Sequence, residues 1–232
     1  MNLYEAMGLR EKQKGQRRDQ ILEAARRLIR ATGGTDFPMR KLAEEAQVSL
    51  VTPYNLFGSK TGVLYALLNE SLETLDRAVT RPSTSPVNAL LAVSSVGANT
   101  YVSDAAYYRP LVRAVFGVRD REHRPRALER SLRLWSRPVE TAVRGGLLAR
   151  SVDTALLARQ LMIAFIGVLE LWIHEDLDDQ GFLAQSMYGS ALLVLAHASP
   201  AGRPRLAERV RAIERRLPRR LGVTKKKRAR AA

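Results

Sequence analysis

The chain of 232 residues contains no cysteine, which excludes disulfides and thiolate metal sites. Histidine is scarce. His123, His174 and His197 are the only three, no two of them four apart, so no helical metal site appears. A glycine-rich phosphate loop and a serine nucleophile elbow are both missing. The carboxylates Asp176, Asp178 and Asp179 cluster between two helical stretches, where capping and solvation account for them. No metal, no cofactor and no enzymatic activity are therefore expected. The first residues lack an apolar run of signal-peptide length, and no stretch reaches the roughly 18 apolar residues of a membrane span. A soluble, cytoplasmic protein without a membrane partner is expected.

Charge is plentiful but uneven. The net +15 divides into +4 over residues 1–60, zero over 61–198 and +11 over 199–232. Two basic ends and a neutral middle suit a protein whose ends meet phosphate and whose middle does something else.

No convincing period-2 run is present, so the chain reads as all-α. Ile21, Leu22, Ala25, Leu28 and Ile29 predict a helix over about residues 16–32, stopped by Gly33-Gly34. A long helix is expected over about 60–80, then a loop around Pro82 and Pro86. Further helices are expected over 87–102, 104–117, 123–145, 153–175 and 180–198, with Asp104 and Asp153 as caps and with Pro138 kinking or dividing the third. The pair 153–175 and 180–198 is apolar on more than one face. It is either the middle of a monomeric bundle or half of a two-fold, four-helix interface.

Residues 39–64, MRKLAEEAQVSLVTPYNLFGSKTGVL, read as two short helices with a tight turn and the start of a third. Ser49 is placed to cap the second helix, Gly58 to close it and Ser59 to cap the next. Leu42-Ala43, Ala46-Gln47-Val48-Ser49, Tyr54-Asn55-Leu56-Phe57 and Ser59-Lys60 resemble the helix-turn-helix signature of the TetR family of bacterial transcriptional regulators, over about residues 16–68. Two residues depart from it. Gln47 stands where the turn glycine is usual and must accept a left-handed or otherwise unusual backbone. Pro53 stands inside the recognition helix, near enough to its start to shift or bend the first turn without breaking it.

The resemblance implies an N-terminal three-helix helix-turn-helix DNA-binding domain (residues 1–60) and a C-terminal helical ligand-binding and dimerisation domain (61–202). Residues 203–232 are left as a basic amphipathic helix and tail. It implies groove contacts from Leu50, Val51, Thr52 and Asn55, with Ser49 beside them and Arg40 reaching from the preceding helix. Tyr54 and Lys60 match positions that hold phosphate, although packing alone would also account for Tyr54. Arg17 and Arg18 either add phosphate contacts or are solvated. The expected partners are a double-stranded operator with an inverted repeat, a second copy of the chain, and a small-molecule effector of apolar or aromatic character. Candidate pocket residues are Tyr101, Tyr107, Tyr108, Phe116, Trp135, Met162, Phe165 and Glu170, with Trp172 and His174. Plain core packing is the alternative for each aromatic.

The expected function is a ligand-responsive, sequence-specific transcriptional regulator that represses. A ligand-independent architectural DNA binder is the alternative. At the C-terminus, Leu206, Val210, Ile213 and Leu217 form one helical stripe, ended by Pro218. The run Lys225 to Arg230 suits charge attraction to DNA, a merely solvated end, or an anionic membrane, in that order.

Overall fold

The computed structural model describes residues 3–217, apart from Pro82 and Thr84. Among these residues there are eleven helices: α1 (Leu3–Thr32), α2 (Met39–Glu45), α3 (Val51–Phe57), α4 (Lys60–Val79), α5 (Pro86–Leu90), α6 (Ala92–Ser103), α7 (Ala105–Gly117), α8 (His123–Arg144), α9 (Thr154–Ile173), α10 (Asp179–Ala196) and α11 (Arg203–Glu214). No strand occurs among them, only an isolated bridge between Leu148 and Ala198. The protein is all-α, with a helix-turn-helix followed by a helical C-terminal region. Two compact units are present, Met1–Ser71 with Ala105–Ala127 and Leu72–Asp104 with Leu128–Ala232.

In the first unit the predicted stripe of α1 is the core. Ile21, Leu22, Ala25 and Ile29 are fully buried, joined by Leu42, Val63, Leu67, Leu111 and Val112. Gly33, at φ +65°, ends α1 as expected. The start of α1 is a correction: it lies at Leu3, not near Gln16. The apolar periodicity that marks a helix begins only at Ile21, so nothing in the pattern signals the earlier turns.

The second unit is built on α9 against α10, with α6 and α11 also packed on α10. Asp153 caps α9 by accepting from the Ala155 and Leu156 amides, each at 3.0 Å, and Asp178 caps α10 by accepting from Gly181 N at 2.7 Å. The expected helix over 87–102 is two, α5 and α6, and Ser85 caps α5 through Asn88 N. Pro138 does not divide α8, which runs unbroken through it. The apolar stripe of α11 docks as expected, with Leu206, Val210 and Ile213 buried. Pro218 and the run Lys225 to Arg230 lie outside the described residues.

A second correction concerns α9. Its mean hydropathy of 1.8 makes it long and apolar enough to cross a membrane by length and composition. Arg159, Gln160 and Glu170 interrupt any unbroken apolar run, which is why a count of consecutive residues misses it. Its inner face, from Leu157 through Leu161, Phe165 and Leu169 to Trp172, is core.

Candidate nucleic-acid interface and aromatic core

The turn between α2 and α3 depends on one unusual residue. Gln47 adopts φ +54°, the left-handed conformation expected of it. Its amide donates to Glu44 O at 3.0 Å, and Val48 N donates to Ala43 O at 3.0 Å, which closes α2.

The start of α3 differs from the expectation. Leu50, in helical conformation, occupies the cap position, and no side chain caps the helix. The Ser49 hydroxyl instead pairs with the Thr52 hydroxyl at 2.7 Å, while Thr52 N donates to Ser49 O. Ser49 thus lies one residue before the cap position. Pro53 then costs little, because its missing N–H falls in the first turn, where amides lack partners anyway. It is the buried residue of α3, an anchoring role that the sequence reading missed. Gly58, at φ +72°, ends α3 by donating to Tyr54 O at 2.8 Å, and Ser59 Oγ accepts from Gly62 N at 3.1 Å.

With Pro53 turned inward, α3 presents the rest of its surface. Leu50, Val51 and Tyr54 are 49%, 59% and 47% exposed, and Ser49 and Asn55 are exposed beside them. Large apolar groups standing together in water on one short helix are a surface suited to a partner. Thr52 and Lys60 are half-buried. Arg40 is 82% exposed and carries Glu44 at 3.3 Å, an exposed pair that is easily broken. Phe57 is half-buried, with the Arg18 guanidinium 5.6 Å above its ring. Arg18 also pairs with Glu70 at 3.4 Å, and Arg26 pairs with Glu70 and Glu23. Arg18 is thus engaged inside the unit, whereas Arg17 is exposed.

The candidate effector residues divide between the units. Tyr101, Trp135 and Phe165 come together in the second unit with Trp172 and Phe182. Centroid distances there run from 4.9 Å for the stacked Trp172–Phe182 pair to 6.5 Å for Tyr101–Phe182. Met162 is buried one turn from Phe165. Trp172 Nε1 donates to Asp179 at 2.8 Å. Glu170 faces outward and holds His174 at 3.1 Å. In the first unit, Tyr107 and Tyr108 meet edge-on at 4.8 Å, and Arg124 lies 5.7 Å from the Phe116 ring. Burial holds the Tyr107 phenol well above its usual range, against the opposing charge and hydrogen bonding of nearby Arg26.

Three of the four buried serines lie on α6 and α10 and escaped the sequence reading. Ser94 donates to Ser190 at 2.6 Å, and Ser186, 2% exposed, has an unpartnered hydroxyl. Phe182, Ser186 and Ser190 recur every four residues along α10, so one helical face passes from ring to hydroxyl. That spacing was the available signal. Among the described residues, no group of three or more His, Asp or Glu is placed to hold a metal ion.

The family profile for bacterial regulatory proteins, tetR family, matches residues 21–67. No curated protein matches the sequence. Among solved structures, the chain is similar to TylP, a tetR regulator from Streptomyces fradiae (18% identity, 87% of this chain and 97% of that one, TM-score 0.62). SmeT, the repressor of the Stenotrophomonas maltophilia multidrug efflux pump SmeDEF, is similar at 21% identity over 80% and 92% of the two chains, TM-score 0.62. RolR, solved in complex with resorcinol, is similar at 16% identity over 90% and 98%, TM-score 0.64. At these identities the likeness is one of fold.

Proposed function

We propose that this chain, which belongs to the tetR family of bacterial regulatory proteins, is a cytoplasmic transcriptional repressor that binds an inverted-repeat operator as a dimer and releases it on binding a small apolar or aromatic effector. The observation that carries the DNA-binding part is the outward face of α3, where Leu50, Val51, Tyr54 and Asn55 stand exposed around a buried Pro53. Leu50, Val51 and the Thr52 methyl suit thymine methyls. Asn55 and Arg40 carry the paired donors and acceptors that read adenine and guanine edges. Tyr54 and Lys60 suit phosphate. One short helix reads few base pairs, which favours two copies acting together.

Dimerisation is supported by α9 and α10. Leu156, Ile163 and Leu171 are 53%, 49% and 40% exposed on α9, and Leu192 is 41% exposed on α10. A second copy covers such a stripe without a new partner being required. The effector reading is supported by the five-ring cluster with the unpartnered Ser186 hydroxyl one turn from Phe182, an apolar site with one polar group to fix orientation. A ligand changes operator affinity only through its differential affinity for the two conformations. The repressor named SmeT and the resorcinol complex of RolR share the fold and agree with this reading.

One observation favours the architectural alternative. The five rings are 0–8% exposed, and a β-carbon at Gly97 would stand 3.3 Å from Phe165, so the cluster is closely packed. The test is a gel shift with purified protein and DNA flanking its own gene, with excess competitor. A competitor-resistant complex that footprints an inverted repeat supports the repressor reading. That complex then serves to screen aromatic compounds for release. Salt-sensitive smearing on every DNA sinks it in favour of the architectural one.

A further inference from the structure

The described side chains in the first turns of α1 stand in water. Side chains at 7–9 and 11–17 are all exposed, Met7 at 58% and Leu9 at 49%. Isolated helices of about 15 residues are marginal in water. Gly8 and Gly15 weaken this one further, and packing does not require either, since a β-carbon at each meets nothing within 4 Å.

Charge and placement identify the partner. Positions 10, 14 and 17 follow one another at spacings of four and three, so Arg10, Lys14 and Arg17 share one helical face. The acids Glu5 and Glu11 fall off that face by the same geometry. Gln13, Lys14 and Arg17 line a groove of about 250 Å3 whose other wall is Thr52, Asn55 and Leu56 of α3. The basic face therefore borders the surface offered to base edges.

We propose that the N-terminal extension of α1 is a second DNA-contacting element, a basic helical arm that runs along duplex phosphates beside the base pairs faced by α3. The proposal rests on the DNA-binding reading of α3 and adds a partner surface to it. The thirteen residues before Gln16 span about 20 Å at 1.5 Å per residue. At 3.4 Å per base pair the arm adds roughly six base pairs of sequence-independent contact at each half-site.

The test uses full-length protein and two duplexes with the same operator, one ending about two base pairs beyond each half-site and one about ten beyond. The parent protein should bind the longer duplex more tightly. The double variant Arg10→Ala/Lys14→Ala should lose that advantage and lower the slope of log K against log salt by about 3.6, near 0.9 for each phosphate no longer neutralised by two cations on each of two arms. Its base preference and helical content should be unchanged. Deleting residues 2–14 should likewise abolish the advantage of the longer duplex. Three results overturn the proposal: equal benefit from flanking DNA in parent and variants, an unchanged salt slope, or a deletion that weakens DNA binding only by dissociating the dimer, as seen by sedimentation. Failure of the parent to form any operator-specific complex refutes the underlying DNA-binding reading instead.

Discussion

Replacing Gln47 by glycine should stabilise the protein. The residue sits at φ +54° between α2 and α3, with its side chain in water. Holding the left-handed conformation costs a non-glycine residue about 1–2 kcal/mol. Glycine escapes that cost but loses about 0.5–1 kcal/mol more backbone entropy on folding. The difference favours Gln47→Gly by about 0.5–1 kcal/mol. For a chain of this size that raises Tm by about 1–4 °C. Gln47→Ala should be near neutral, because alanine suffers the same strain. Gln47→Val should destabilise by about 1 kcal/mol or more, because a β-branched residue fits this region worst. The assay is thermal melting of the four proteins at one concentration, so that self-association stays constant across the series. The order Gly above Gln, Gln level with Ala, and Val lowest is the signature of backbone strain. A drop in Tm for Gln47→Gly with Val unchanged would refute the argument and assign Gln47 a side-chain role instead.

Tyr54→Phe should weaken binding to every DNA sequence alike, by about 1 kcal/mol for one missing hydrogen bond; altered base preference in competition assays would contradict a phosphate role. Arg40→Ala should cost about 1–3 kcal/mol and relax preference at one base pair, read from a panel of single-substitution operators; unchanged discrimination removes it from the readout. Asp120 should contribute an acid limb to stability. Burial pushes its carboxyl up, but the amides of His123 and Arg124 and the His123 ring donate to it and hold it below its usual range. With the folded value depressed, the contribution is present above the unfolded carboxylate range and is lost as pH falls through the folded one. Asp120→Asn should flatten that part of a urea-midpoint profile between about pH 5 and 2, and an unaltered profile would show that the bonds do not matter.

Legibility followed burial. The core of α1, the caps at Asp153 and Asp178 and the stripe on α11 were readable because each obeys a periodicity or a local hydrogen-bond rule. The same logic explains the misses. The side chains described in the early turns of α1, at 7–9 and 11–17, are all exposed, so no apolar pattern announces them. Ser49 satisfied a cap rule by residue type, yet the cap position falls one residue later, at Leu50, and the Ser49 hydroxyl is taken up by Thr52. Pro53 looked like a departure expected to shift or bend the first turn, whereas its place there makes it a rigid buried anchor. At the candidate pocket, aromatic type brought Tyr101, Trp135 and Phe165 together with Tyr107, Tyr108 and Phe116. Ring chemistry carries no information on which unit a side chain joins.

Charge shows the same limit. The head has a net +4, and the count treats its arginines as equivalent. Folding separates them. Glu23, Glu45 and Glu70 gather against the later turns of α1, where they pair with Arg26, Arg27 and Arg18. These partly exposed pairs add little stability each, but they neutralise charge where the helix packs. Lys14 and Arg17 stay exposed beside α3. The acidic residues thus sharpen the basic surface beside α3 instead of diluting it, by cancelling cations on the later turns of α1. Glu70→Gln tests this directly. If Glu70 only neutralises distant arginines, the variant should lose about 1 kcal/mol of stability yet keep its operator affinity and salt slope. A steeper salt slope in that variant would place Arg18 or Arg26 within reach of phosphate and refute the separation.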